Sequence, residues 1–124
     1  MKVSDILRNK GTTLYTTTPL APLADAVQTM ADHDLGSILV MEHGDLVGIL
    51  TFREVILAWS HHGGSLGTIT VRSAMNDHPL TCSPETELDE VRRMMLERHA
   101  RYLPVMSKRE LLGVVSFYDV AKAV

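Results

Sequence analysis

The sequence predicts an α+β fold made of two β-α-β-β-α repeats, and two observations carry this prediction. Shifting the chain by 65 residues superposes GILTFREV, which begins at Gly48, on GVVSFYDV, which begins at Gly113, and no gap is needed from Tyr15 onward. Each repeat also shows one stretch of helical periodicity followed by two short runs rich in aliphatic and β-branched residues. The chain is therefore a tandem duplication over nearly its whole length.

The register of the duplication changes upstream of Tyr15. VSDIL, from Val3 to Leu7, matches VRSAM, from Val71 to Met75, at an offset of 68, so repeat 1 carries three extra residues around positions 10–13. This match predicts that each repeat begins with a lead-in segment. We predict repeat 1 at residues 1–62, a linker at 63–70 within the glycine-rich stretch, and repeat 2 at 71–124.

The first helix of each repeat is predicted from apolar residues at helical spacing over residues 20–33 and again from Leu88 onward. Pro19 and Pro84 suit a first helical turn, and Thr18 and Ser83 are of the type that caps one. The sequence therefore predicts that these helices begin at the two prolines.

A hairpin is predicted after each first helix. SILVM and LVGILT flank EHGD, in which Gly44-Asp45 is a plausible turn, and YLPVM and LLGVVS flank SKRE in repeat 2. Pro104 has no N–H, so its strand is predicted at an edge or locally irregular. A short helix follows each hairpin and completes the repeat.

Composition sets limits on function. The 124 residues carry a net charge of −3, which gives no basis for a nucleic-acid or membrane partner. The single cysteine excludes an internal disulfide framework, and His61-His62 lacks partners at metal-ligand spacing, so we predict no metal. No apolar run has the pattern of a secretory signal or the length of a membrane span, and we expect a cytoplasmic location.

The two repeats resemble a tandem pair of cystathionine-β-synthase (CBS) domains. The resemblance rests on the terminal Gly-h-h-[Ser/Thr]-x-x-[Asp/Glu] motif (h, apolar), on the lead-in segments, and on RYLPVM, where Tyr102 stands at a position commonly occupied by histidine. It implies a free-standing pair whose repeats are related by a pseudo-twofold axis with their sheets packed together. It also implies a homodimer formed through apolar helix faces such as VILAW.

The terminal motif has two compatible interpretations. Thr51-x-x-Glu54 and Ser116-x-x-Asp119 are capping boxes, in which hydroxyl and carboxylate satisfy backbone N–H groups at a helix start. The same groups can also bind a nucleotide, because a helix start attracts phosphate and a carboxylate accepts from ribose hydroxyls. The resemblance implies this second role. Asp119 has the family's residue, whereas Glu54 is one methylene longer.

The resemblance places further binding residues on both repeats. Arg101 is a candidate for phosphate, with Gly36 at the matching position of repeat 1, and its alternative is a solvated surface arginine. Tyr102 is a candidate either for stacking on a base or for simply closing the cleft. Each of the strand residues is, taken singly, better explained by core or edge-strand packing than by ligand contact. The complete predicted set is Ser116, Asp119, Arg101, Tyr102, Leu103, Pro104 and Thr81, together with Thr51, Glu54, Thr16, Ser37 and Ile38.

The sequence is therefore interpreted as a regulatory module without catalysis. It would bind AMP, ADP, ATP, NAD or S-adenosylmethionine in clefts between the repeats and relay this to an unknown effector protein. The first alternative is a ligand-free structural or scaffolding dimer, which Glu54 favours. The second is a nucleotide hydrolase, for which the sequence offers no metal cage and no obvious base beyond Asp119 and Glu54.

Overall fold

The computed structural model describes residues 1–11 and 13–123, so Thr12 of the extra segment and Val124 of the predicted last helix lie outside the described residues. The elements of the first half are α1 (Val3–Lys10), β1 (Thr16–Thr17), α2 (Leu23–Asp32), β2 (Ser37–Glu42), β3 (Asp45–Thr51) and α3 (Phe52–His61). Those of the second half are α4 (Val71–Ala74), α5 (Leu88–Arg98), β4 (Tyr102–Ser107), β5 (Glu110–Ser116) and α6 (Phe117–Lys122). The mixed α and β composition and its order agree with the predicted class.

The chain divides into two compact units that differ in extent from the sequence repeats. The central unit is Tyr15–His78, and the terminal unit combines Met1–Leu14 with Pro79–Val124. Each unit has its own core: Val3 and Ile6 of α1 are buried with Leu88, Val91 and Leu103 in the terminal unit. The repeat boundaries predicted above describe sequence similarity and stay a prediction. They differ from the compact units because the lead-in helix α1 packs with residues 79–124.

The lead-in helices contribute to the two units in matching ways. In the terminal unit the Val3 and Ser4 N–H groups of α1 donate to the carbonyls of Thr86 and Pro84, both at 3.0 Å. In the central unit the Val71 and Arg72 N–H groups of α4 donate to the carbonyls of Ala21 and Pro19, at 2.9 and 2.8 Å. These bonds satisfy N–H groups that a helix start otherwise leaves unpaired.

The predicted helix starts at Pro19 and Pro84 are wrong by four residues. The prolines lie in turns closed by Ala21 N–H to the Thr18 carbonyl (3.2 Å) and by the corresponding bond to the Ser83 carbonyl. Helices α2 and α5 begin only at Leu23 and Leu88. The carbonyls that would enter a continuous helix instead accept bonds from the lead-in helices, so tertiary pairing overrides the local capping pattern.

Both hairpins close with two-residue loops. Strand β2 pairs antiparallel with β3, and β4 with β5. The first loop is His43-Gly44, with φ of 52° and 82°, and not the predicted Gly44-Asp45. Two successive positive φ values are typical of the type I′ turn, which matches the twist of the strands. The second loop, Lys108-Arg109, begins with φ of 56° at Lys108.

The leading strand differs between the units because of Pro104. In the central unit β1 pairs parallel with β2 at two positions, which uses a Leu39 N–H bond to the Tyr15 carbonyl (3.5 Å). Pro104 occupies the position equivalent to Leu39 and has no N–H to donate. The leading strand of the second repeat is accordingly reduced to one parallel bridge between Cys82 and Val105.

The two motif glycines allow the lead-in segments to approach the strands closely. A Cβ placed on Gly113 would lie 2.8 Å from Leu7 Cδ2, and one on Gly48 would lie 2.7 Å from Met75 Sδ. Real Cβ atoms do not approach other atoms so closely, so a side chain at either position displaces its neighbour. Gly48 and Gly113 thus serve packing, which is the structural interpretation of this part of the motif.

Candidate functional site

Ser116 and Asp119 form a reciprocal capping box where β5 ends and α6 begins. The Asp119 N–H donates to Ser116 Oγ at 3.0 Å, and the Ser116 N–H donates to Asp119 Oδ2 at 2.9 Å. The motif therefore folds as a helix start whether or not a ligand is bound. Its carboxylate is 17% exposed and is held in one orientation by the backbone.

Lys10, at the end of α1, adds a cation to this group. Its Nζ donates to Asp119 Oδ2 at 2.7 Å and to the Val114 carbonyl at 2.9 Å. Lys10 Nζ and the Ser116 N–H thus both donate to Oδ2 of Asp119, and the Ser116 hydroxyl also interacts with this carboxylate. The sequence prediction did not include Lys10. The only signal for it was its place at the three-residue insertion of repeat 1.

The pKa of Asp119 is lowered from its ordinary value of 3.8. Burial alone would raise this pKa, but hydrogen bonds from Lys10 and Ser116, with the charge of Lys10, outweigh the burial. The carboxylate is consequently ionised at neutral pH. An ionised carboxylate has room for several hydrogen bonds and is a strong acceptor for hydroxyl donors.

Thr51 and Glu54 form the corresponding group where β3 ends and α3 begins. Glu54 Oε1 accepts from the Thr51 N–H at 2.8 Å and from Thr51 Oγ1 at 2.6 Å. Both of these hydrogen bonds to Glu54 come from Thr51, and neither comes from a cationic side chain. In strand β3 a backbone pairing takes the place of the Lys10 bond to Val114: Ile49 and Asn76 exchange two N–H···O bonds at 3.0 Å. The two motifs share a backbone plan and differ in local charge.

The remaining predicted residues lie in different surroundings. Tyr102 is directly opposite Ser116 in the β4–β5 pair, and Ser37 is directly opposite Thr51 in the β2–β3 pair. Arg101 is exposed, and its carbonyl accepts the Phe117 N–H at 2.8 Å. The structure therefore brings a strand residue next to each hydroxyl of the motifs.

Burial argues against several of the ligand contacts that the sequence predicted. Leu103 and Ile38 are 0% and 1% exposed, so their side chains belong to the cores, and Pro104 is buried as well. Thr81 and Thr16 are exposed, one beside the Cys82 bridge and the other in β1. Side-chain contact with a base is supported at neither Leu103 nor Ile38.

Other reactive groups are not arranged as sites. Burial raises the pKa of the Cys82 thiol to about 12, which disfavours a reactive thiolate. His62 Nδ1 lies 2.9 Å from the Ala58 carbonyl. Within residues 1–11 and 13–123, no three His, Cys, Asp or Glu side chains form a group able to hold a metal ion. In the same residues, no helix combines the length and apolar character needed to cross a bilayer.

Comparison with known proteins shows to which family the chain belongs. A family model of the CBS domain matches residues 3–61 and 71–124. The chain belongs to the CBS domain family. It is 30% identical over 132 residues to the mitochondrial CBS domain-containing protein CBSX3 of Arabidopsis thaliana, covering 98% of this chain and 64% of that protein. It thus spans less than two thirds of the length of that relative.

Solved structures of other CBS proteins share the fold. The CBS-domain containing protein ATU1752 from Agrobacterium tumefaciens superposes with a TM-score of 0.94 at 28% identity, covering 99% of this chain and 98% of that one. CBSX2 was solved in complex with AMP (TM-score 0.80, 24% identity, 98% and 94% covered). The CBS pair of MJ0100 was solved with 5′-methylthioadenosine and S-adenosylmethionine (TM-score 0.87, 22% identity, 99% and 94% covered).

Proposed function

We propose that this chain is a regulatory CBS module that binds an adenosine-containing ligand through Asp119 and relays its occupancy to an effector protein. The observation that carries the proposal is the Asp119 carboxylate. It stands at the family motif, has a lowered pKa, and accepts the hydrogen bonds of Lys10 Nζ and the Ser116 N–H at the same oxygen, Oδ2. Oδ1 would accept hydrogen bonds from the vicinal hydroxyls of a ribose, as the acidic residue of dinucleotide folds does.

The ligand class follows from chemistry that the ligands of two structural neighbours share. AMP, 5′-methylthioadenosine and S-adenosylmethionine all contain adenosine, and so do ADP, ATP and NAD. A carboxylate that holds the ribose recognises this common part. We place Ser116, Tyr102 and Arg101 around the same ligand, because Tyr102 pairs with Ser116 and Arg101 is joined through its backbone to α6.

The Thr51/Glu54 group is the second candidate site. Its carboxylate is ordered by two bonds from Thr51 to Oε1, and Ser37 lies opposite Thr51 in the sheet. Glu54 reaches further than an aspartate, and its two hydrogen bonds come from Thr51 and not from a lysine of the lead-in segment. We propose that this site binds adenosine ligands more weakly than the Asp119 site.

The partner proposed for assembly is a second copy of the chain. Phe52, Ile56 and Trp59 lie at positions i, i+4 and i+7 of α3, so they share one face, and they are 61%, 62% and 53% exposed. A row of large apolar residues of this kind is typical of an interface. Ile56→Glu should give monomers by light scattering, whereas Arg53→Glu, on the same helix, should leave the homodimer intact.

Catalysis is not part of the proposal, and we place the protein in the cytoplasm. The alternative is a scaffolding homodimer with unoccupied sites. Its support is that Lys10 already neutralises Asp119 and that both capping boxes are complete in the protein alone. A ligand-binding measurement separates the two functions.

The test is calorimetric titration of the ligand-free protein with AMP, ADP, ATP, NAD and S-adenosylmethionine. We expect binding of at least one ligand, and Asp119→Ala should weaken it about 100-fold, as for the loss of charged hydrogen bonds. Asp89→Ala is the matched control, because Asp89 is an exposed aspartate in the first turn of α5. Absence of binding by all five ligands would favour the scaffold. Recovery of chemically altered ligand would indicate an enzyme.

A further inference from the structure

Lys10 lies at the end of a helix that is packed into the core of the terminal unit. It ends α1, whose Val3 and Ile6 are buried in the core of the terminal unit and whose first N–H groups are bonded to carbonyls of that unit. The Lys10 ammonium is bonded to two fixed acceptors, Asp119 Oδ2 and the Val114 carbonyl. The fold of the terminal unit therefore places a cation directly beside the Asp119 carboxylate.

The ammonium group has unused capacity for a ligand. A lysine ammonium has three N–H donors, and within residues 1–11 and 13–123 Lys10 uses two of them. The Lys10 side chain is 38% exposed, so the third donor has access to solvent or to a ligand. The site thus presents a carboxylate oxygen as acceptor and an ammonium N–H as donor side by side.

The charge of Lys10 decides how the site responds to the charge of a ligand. An isolated Asp119 carboxylate would repel the phosphate of a nucleotide, which carries a charge of about −1.5 to −2 at neutral pH. It would attract a sulfonium cation. When a ribose is bound at Oδ1, its 5′ substituent is within the distance of about 10 Å over which charges interact at ordinary salt. Lys10 cancels the repulsion and supplies a donor.

We propose that Lys10 is a specificity-determining residue that makes the Asp119 site favour adenosine ligands with an anionic phosphate over those with a neutral or cationic 5′ group. This inference rests on the proposed function, because it requires that Asp119 holds the ribose. The preference is assigned to the Asp119 site because Lys10 pairs with Asp119, whereas the hydrogen bonds to Glu54 come from Thr51.

The experiment compares three ligands that share adenosine and differ in 5′ charge: AMP, 5′-methylthioadenosine and S-adenosylmethionine. Dissociation constants are measured by calorimetry for the complete wild-type chain, Lys10→Met, Lys10→Arg and Arg8→Met. Met keeps the length of the Lys10 side chain without its charge. Arg8 pairs with Asp5 on the same helix, so Arg8→Met removes one positive charge at a distance from Asp119.

We expect Lys10→Met to weaken AMP about tenfold, as for the loss of one charge-assisted hydrogen bond, and to leave 5′-methylthioadenosine within about twofold. S-Adenosylmethionine should bind Lys10→Met more tightly than wild type. Lys10→Arg should retain the preference for AMP, and Arg8→Met should behave as wild type.

Two results would overturn the inference while leaving the proposed function intact. Equal weakening of AMP and 5′-methylthioadenosine in Lys10→Met would show that Lys10 only positions Asp119. Tighter AMP binding in Lys10→Met would show that Lys10 competes with the ligand. If wild type binds none of the three ligands, the proposed function itself fails, and this inference fails with it.

Discussion

The terminal and central units are built on one plan and differ where the lead-in segment ends. Helix α1 has eight residues and ends with Lys10, whose ammonium donates to the Val114 carbonyl and to Asp119. Helix α4 has four residues, and Asn76 then pairs through its backbone with Ile49, the residue equivalent to Val114. The backbone carbonyl at this strand position accepts a hydrogen bond from a lysine side chain in the terminal unit and from a backbone N–H in the central unit.

This difference shows how a duplicated fold can give its two motifs different chemistry. Both motifs keep a hydroxyl and a carboxylate in a capping box, because the helix start requires them. The neighbouring lead-in segment is under no such local requirement. A few extra residues there place Lys10 beside Asp119, whereas Glu54 is bonded by Thr51 of its own motif.

The largest expected effect is the loss of folding stability when a charge replaces the valine that each lead-in helix buries in its core. Val3 and Val71 are both 0% exposed, in separate cores. Val3→Asp and Val71→Asp should each destabilise by about 4 kcal/mol, because an unpaired charge is buried. Hydrogen exchange should rise in β4 and β5 for Val3→Asp, and in β2 and β3 for Val71→Asp.

Asn9→Asp is the control for this pair, since Asn9 is an exposed residue of α1. Its stability should stay within about 0.5 kcal/mol of wild type. If Val3→Asp raised exchange first in β2 and β3, the assignment of α1 to the terminal unit would be wrong.

A smaller effect is expected from the two motif glycines, and it should differ between them. The Cβ of Gly48→Ala meets Met75 Sδ at 2.7 Å and the Asn76 carbonyl oxygen at 3.0 Å, whereas that of Gly113→Ala meets the end of the flexible Leu7 side chain. Gly48→Ala should cost about 2 kcal/mol, and Gly113→Ala less than about 1 kcal/mol, in urea unfolding.

Double variants sharpen the comparison of the glycines. Leu7→Val should relieve most of the cost of Gly113→Ala. Met75→Ala should relieve little of the cost of Gly48→Ala, because the backbone carbonyl of Asn76 remains 3.0 Å from the new Cβ. Equal costs for the two glycine variants would contradict the difference between the units.

The smallest effect concerns pH. The folded-state pKa of Asp119 is below its ordinary value, so its ionisation stabilises the fold above that value, and this stabilisation is lost as pH falls through the folded-state pKa. Asp119→Asn should lower the free energy of unfolding by about 1 kcal/mol at neutral pH. The gap to wild type should close as the solution is acidified past both values.

Lys10→Met is the companion measurement for the pH effect, because it removes the partner that lowers the pKa of Asp119. The double variant should lose little more stability than either single one, as expected for two residues in one interaction. Additive losses would show that Lys10 and Asp119 act independently.

Much of the fold could be predicted from local patterns. The hairpins were predicted because turn residues separate runs of β-formers, and the capping boxes because hydroxyl and carboxylate are three residues apart. The helix starts at Pro19 and Pro84 were predicted wrongly, since their carbonyls accept bonds from α4 and α1. Pro104 predicted an edge or irregular strand, but that the leading strand beside it is reduced to one bridge at Cys82 was not predicted and is seen only in the structure.

The sequence by itself determined the duplication, the two hairpins and the two hydroxyl–carboxylate motifs, because each depends on residues close together in the chain. The tertiary structure alone decided that α1 packs with residues 79–124 and that Lys10 reaches Asp119, 109 residues away. The physical reason is that both halves offer a lead-in segment the same features, a strand glycine and two free carbonyls. Local sequence patterns therefore do not show which half a lead-in segment joins. The folded structure shows that α1 joins the terminal unit and α4 the central unit.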